Sequence, residues 1–141
     1  MKQALIFWPM FVHAILVLVL YLELGRRRAI SAKNKEINLR DYKVLKPESD
    51  NDYCAVAARA VANNFEMPVL FHAASLALFS LSAVTQTALV IAWVFIIGRL
   101  VQAAILLTYN NVYHRAAGFF TSVFATMALW GLVALQLMTA I

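Results

Sequence analysis

Apolar and polar residues fall in blocks along this chain, and the apolar blocks have the lengths of membrane-crossing helices. The first runs from about Ala4 to Leu22 and stops at Glu23-Leu24-Gly25-Arg26-Arg27-Arg28. Its length of about 19 residues matches a hydrocarbon core roughly 30 Å thick. A secretory signal peptide has a shorter apolar core and a small-residue cleavage site with no positive cluster behind it, so this segment reads as a stop-transfer span. Residues 26–53 are polar, mixed in charge and interrupted by Pro47, which predicts a loop on one membrane surface. From Met67 to Gly98 no acidic or basic residue occurs, His72 being counted neutral. A single helix over that stretch would rise about 48 Å, too far for one crossing. It must turn, and Ser82-Ala83-Val84-Thr85-Gln86-Thr87 is its most polar patch. The pattern thus predicts spans at about 4–22, 53–81, 87–109 and 116–139, the last two joined through Asn110-Asn111-Val112-Tyr113-His114-Arg115. The expected fold is all-α: one domain over residues 1–141, an integral membrane four-helix up-down bundle.

Composition agrees. The chain is 63% hydrophobic and 13% charged, with mean hydropathy +0.75, outside the usual soluble range. The net charge of +5 sits largely in one place, because Arg26, Arg27, Arg28, Lys33, Lys35, Arg40, Lys43 and Lys46 all lie between the first two apolar blocks. That placement argues against a nucleic-acid partner and for a topology determinant in contact with anionic lipid headgroups. It predicts loop 26–53 in the cytoplasm and both termini outside. His114 and Arg115 fall on the cytoplasmic side after two more crossings, and the uncharged turn near Thr85 falls opposite. The single cysteine, Cys54, cannot form an intrachain disulfide and reads as a small apolar filler. His13, His72 and His114 are too scattered for a metal motif and read as hydrogen-bonded interior or interfacial side chains, so no metal site is predicted. Ala55, Ala57, Ala58, Ala60 and Ala62 allow close helix approach.

Candidate chemistry lies inside the spans. Arg59, Asn63 and Glu66 stand four and three residues apart, on one helical face at about 100° per residue. Polar groups at bilayer depth need partners or a wet cavity, so the stripe is either helix–helix glue in an oligomer or a functional site. Counting inward from the cytoplasmic side, Glu66 on the second span lies roughly 16 Å deep and Arg99 on the third roughly 15 Å. The two are expected to pair, within one subunit or across a subunit contact. By the same count Asn63 approaches the level of Gln102, and Arg59 that of Arg115. Together these residues would form a funnel open to the cytoplasm, with excess positive charge suited to an anionic ligand. Pro68 removes a backbone donor just beyond Glu66 and predicts a kink. A proton or ion pathway is disfavoured, since beyond Glu66 the second span offers only His72, Ser75, Ser80 and Ser82, and the first only His13.

The run Arg59-Ala60-Val61-Ala62-Asn63-Asn64-Phe65-Glu66-Met67-Pro68 resembles the second-helix signature of the membrane-associated proteins in eicosanoid and glutathione metabolism, the MAPEG family. Gly98-Arg99, followed by Thr108-Tyr109-Asn110-Asn111-Val112-Tyr113-His114-Arg115, is similar to a bacterial branch of it. The resemblance extends over the whole chain in length, spans and basic first loop. It implies a homotrimer in a bacterial cytoplasmic (inner) membrane, with glutathione as co-substrate between neighbouring subunits near the cytoplasmic face. Arg59, Asn63 and Glu66 would contact the tripeptide, with Arg99 and Gln102 beside them, and Arg115 would be the catalytic residue that stabilises the thiolate. A thiol of pKa near 8.5 is mostly protonated at neutral pH, and a guanidinium beside it in low dielectric favours the nucleophile. The implied activity is glutathione-dependent transferase or peroxidase chemistry on an apolar or lipid electrophile. Three positions depart from the family pattern: Met67, Gln102 and Leu106 stand where conjugating members often carry tyrosine. These losses keep a second reading open, a non-catalytic membrane subunit or lipid-binding scaffold of the same fold, alone or with a hetero-partner.

Overall fold

A computed structural model describes residues 2–44 and 49–140, so Lys46 and Pro47 of the basic loop lie outside the described residues. Five α-helices run in chain order: α1 Phe7–Lys33, α2 Asp52–Asn63, α3 Pro68–Ser80, α4 Gln86–Leu107 and α5 Val112–Ala140. There is no strand among the described residues. Three helical stretches, Gln3–Lys33, Gln86–Leu107 and Val112–Thr139, are long and apolar enough to cross a membrane. The fourth predicted span is made of α2 and α3 together. Most apolar side chains of the long helices face outward; Leu22, Phe124 and Met138 are each at least 70% exposed. In water such surface would be a liability, whereas lipid is its natural solvent.

Two boundaries depart from the sequence reading. Helix α1 does not stop at Leu22 but continues to Lys33, well into the predicted loop. Charges end a span in the membrane but not a helix, and here they hold it together: Glu23 receives Arg26 and Arg27, each at 2.7 Å. Arg27 is buried and also donates to the carbonyls of Tyr53 and Leu107, both at 3.0 Å. One guanidinium thereby ties α1, the start of α2 and the end of α4 into one end of the bundle. Arg28, also within α1, pairs with Asp50 just before α2 at 2.6 Å, and its guanidinium holds the Asp50 carboxyl below its ordinary range. The Tyr42 hydroxyl, half-buried and donating to Asp50, is pushed up to about 12 by desolvation and by that hydrogen bond. The second departure is at α5, which begins at Val112 because the Asn111 side chain accepts from the Tyr113 and His114 backbone N–H groups, an N-cap in the ordinary sense. His114 and Arg115 are therefore helical, not part of a connection.

The predicted turn at 82–87 is present, with Ser82 at φ 53° and Thr85 capping α4 through Ala88 N–H. Gln3 accepts from Val84 N–H at 2.8 Å, which puts the N-terminal residues at this end, opposite the Arg27 clamp. The up-down order follows from these two anchors.

Helices α4 and α5 form the tightest pair. A Cβ added at Gly118 would lie 2.9 Å from the Gly98 carbonyl oxygen, and one added at Gly98 would lie 2.9 Å from that of Gly118. Backbone cannot yield as a side chain does, so Gly118→Leu should force the pair apart. We expect a loss of about 1–3 kcal/mol in detergent-solubilised unfolding. Gly131→Leu, where nothing lies within 4 Å, is the control and should leave stability nearly unchanged.

The core has two apolar halves with a polar layer between them. Phe71, Leu78, Ala92, Phe95 and Leu129 belong to the half nearer the 82–87 turn. Leu20, Leu24, Ala57, Val61 and Leu106 belong to the half nearer the basic end. Between them in sequence on the first three spans lie buried His13, Asn64, Arg99 and Gln102. The second span breaks at this layer: α2 ends at Asn63 and α3 starts at Pro68, whose ring fits a helix N-terminus and bars continuation from α2. The break also lets the span change neighbours, with α2 packed mainly on α1 and α3 on α5.

Candidate functional site

At the break the backbone leaves carbonyls without helical partners, and buried Arg99 takes one. Its guanidinium donates to the Asn63 carbonyl and, through Nε, to Asn64 Oδ1 at 3.4 Å. The Asn64 amide is held in place by its own donation to the Ala60 carbonyl at 2.8 Å. His13 Nε2 lies 3.2 Å from the same Asn64 oxygen, and His72 Nε2 lies 3.1 Å from His13 Nδ1. Arg99 is thus hydrogen-bonded to backbone and amide dipoles rather than paired with a carboxylate.

This corrects the expected Glu66–Arg99 pair within the chain. Among the described residues Glu66 forms no ion pair or hydrogen bond; its side chain is exposed and acts on Arg99 only at longer range. The reason is local. Arg59 and Asn63 both belong to α2 and keep one face, but Glu66 lies in the break, where a progression of 100° per residue no longer holds. The depth count itself is off by less than one turn, since Arg99 meets Asn63 and Asn64 instead of Glu66.

Four of the predicted residues do meet around one cleft. Arg59, Asn63, Gln102 and Arg115 line a cavity of about 260 Å³ whose remaining wall is Val112, Ala116 and Phe119. Helix α2 supplies the first two side chains, α4 the third and the first turns of α5 the rest. Arg115 is steadied by one hydrogen bond from Nη1 to Asn110 Oδ1 at 2.9 Å, and Asn110 itself adopts φ 45° in the tight α4–α5 turn. Arg59 has no hydrogen-bond or ion-pair partner among the described residues. Two guanidinium groups face a lining without a carboxylate, so the cleft is electropositive. Gln102 adds a different feature: it is 5% exposed and its Oε1 is buried without a partner. Buried polar atoms are nearly always satisfied, so an unpartnered amide oxygen behind the cleft wall is an exception. Arg99 has a similar orphan at Nη1, and Ser75 one at Oγ.

The sequence reading passed over Asn64, which is the centre of the polar layer. A second amide next to Asn63, just before a proline break, was the available signal. Nor did it anticipate the contact of His13 with His72, which are far apart in the sequence, although both behave as the hydrogen-bonded interior histidines it described.

The bundle, its membrane-length helices and its interior polar layer define a helical integral membrane protein. The MAPEG family profile matches residues 5–135, and the chain belongs to the MAPEG family. No curated relative and no solved structure matches it.

Proposed function

We propose that the cleft of Arg59, Asn63, Gln102 and Arg115 binds glutathione and that the protein uses it as a membrane-bound transferase or peroxidase on apolar electrophiles. The observation that carries this reading is a cleft that two guanidinium groups line with no acid, with the amide of Gln102 beside them. Glutathione offers what that lining lacks: carboxylates for the forked arginine donors, and amide and ammonium hydrogens for the glutamine oxygen. Arg115, at the edge nearest the basic end, is the residue we assign to the thiol. A sulfur held as thiolate adds to an electrophilic carbon, which then takes a proton or expels its leaving group; with a hydroperoxide it breaks the O–O bond, releasing the alcohol and leaving a sulfenic acid from which a second glutathione displaces water to close the disulfide.

A cleft of about 260 Å³ is at or below the small end of ligand pockets, roughly 300–1,000 Å³. One protomer therefore supplies part of the site, which supports a homotrimer with glutathione between subunits. Exposed Glu66 points the same way, because a carboxylate at membrane depth is costly unless something meets it. In this reading a neighbouring subunit covers Glu66. The basic end of the bundle is the cytoplasmic one, both termini are outside, and the membrane is a bacterial inner membrane.

One observation favours the scaffold reading instead. Leu106, at a position where conjugating members often carry tyrosine, is 2% exposed within the apolar core and has no polar atom to give a ligand. Calorimetric titration of the purified protein with glutathione separates the two readings. Wild type should give saturable heat, and Gln102→Leu should weaken binding about tenfold, the worth of one hydrogen bond. No saturable heat with wild type would put the scaffold in front.

A further inference from the structure

A second cavity, of about 520 Å³, lies between α1 and the start of α3, away from the arginine cleft. Its walls are apolar apart from the Tyr21 hydroxyl, including Ala14, Val17, Leu18 and Val69, and its polar end is His13, Asn64 and His72. Leu18 and Val69 are more than half exposed on the surface of the protomer.

The hydrogen-bond chain at that end fixes where the protons sit. The Asn64 nitrogen donates to the Ala60 carbonyl, so the amide oxygen is the atom facing Arg99 and His13, and it can only accept. His13 must therefore carry its proton on Nε2. A neutral imidazole has one donor and one acceptor, which makes His13 Nδ1 an acceptor and His72 Nε2 the donor to it. The remaining nitrogen, His72 Nδ1, is an unprotonated acceptor. It has no partner among the described residues, yet it is not one of the fully buried orphan atoms. The chain from Arg99 through Asn64 and His13 thus ends in a lone pair on a residue that lines a largely apolar cavity open at the protomer surface.

We propose that this cavity is a binding site for a single-chain amphiphile drawn from the bilayer, whose head is a hydrogen-bond donor such as a hydroxyl. The head donates to His72 Nδ1, and the alkyl chain lies along Val17, Leu18 and Val69. An ether or ester of the same length has no proton to give, and the fixed tautomers leave His72 none to offer in return. The selectivity is for a donor, and it does not depend on the chemistry of the arginine cleft.

The test uses full-length protein in phosphatidylcholine nanodiscs with palmityl alcohol carrying a diazirine along its chain. Photolabelling should map to the α1 and α3 walls, and myristyl alcohol should suppress it at about tenfold lower concentration than myristyl methyl ether, one hydrogen bond's worth. His72→Phe keeps an aromatic ring but no acceptor, and it should bring that ratio to about one while labelling persists. Val69→Trp fills the cavity and should abolish wall labelling. Equal competition by alcohol and ether on wild type would overturn the proposal. So would label scattered over the whole lipid-facing surface, or no label at these walls because a second copy of the chain covers them. Should His72→Phe fail to fold, Val69→Trp and the wild-type comparison still decide.

Discussion

Asn64→Leu will unfold in detergent with a loss of about 2–5 kcal/mol, whereas Asn63→Ala, one residue away, will stay within about 0.5 kcal/mol of wild type. The two asparagines are chemically identical and differ only in what their side chains hold. Asn64 is buried, and its oxygen receives both Arg99 Nε and His13 Nε2 while its nitrogen donates to the Ala60 carbonyl. Leucine removes that oxygen and leaves two buried donors unpaired, one of them on a guanidinium. Each such orphan costs about 1–3 kcal/mol, and more where charge is involved. Asn63 contributes only its backbone carbonyl to the layer, and alanine keeps that. Its side chain lines the arginine cleft, so Asn63→Ala should instead weaken glutathione binding. Denaturant unfolding of the two variants, side by side with titrations, checks the contrast. Equal stability of both would mean that the polar layer does not hold the bundle together.

The second large effect concerns Arg115. Arg115→Leu should lower glutathione-dependent turnover about a hundredfold or more, the usual result of deleting one preorganised charge-stabilising donor. Unfolding should barely change, because the side chain makes a single hydrogen bond, to Asn110, in a half-exposed position where a long cationic side chain reaches interfacial water. Arg115→Lys keeps the charge without the planar fork and should retain part of the activity. A variant series in which turnover and stability fall together would make Arg115 a structural residue.

Much of this architecture was legible in the sequence, and the misses have physical causes. Hydropathy blocks pointed to the three helices that are long and apolar enough to cross a membrane, because a bilayer imposes one length on every span. The turn at 82–87 followed from the impossibility of one helix over Met67–Gly98. The juxtaposition of Arg59, Asn63, Gln102 and Arg115 followed from helical spacing combined with depth, since both rules hold within unbroken helices. Glu66 escaped them because the helix ends at Asn63, and its azimuth beyond that point is set by the break. Helix α1 ran past its expected end because arginines that stop a membrane crossing are good helix formers. Arg27 read as one of several topology charges. Only the convergence of three chain segments reveals it as the clamp on the Tyr53 and Leu107 carbonyls. The His13–His72 contact joins residues from two spans, and nothing in local pattern specifies which face of α1 meets which face of α3.

In the proposed reaction the arginine cleft holds glutathione as its thiolate. Thiolate absorbs in the ultraviolet where the thiol does not, so mixing glutathione with concentrated protein at neutral pH reads the claim directly. Wild type should raise the absorbance in proportion to the sites present, and Arg115→Leu should leave it at the level of free glutathione. An unchanged spectrum with wild type would contradict the claim.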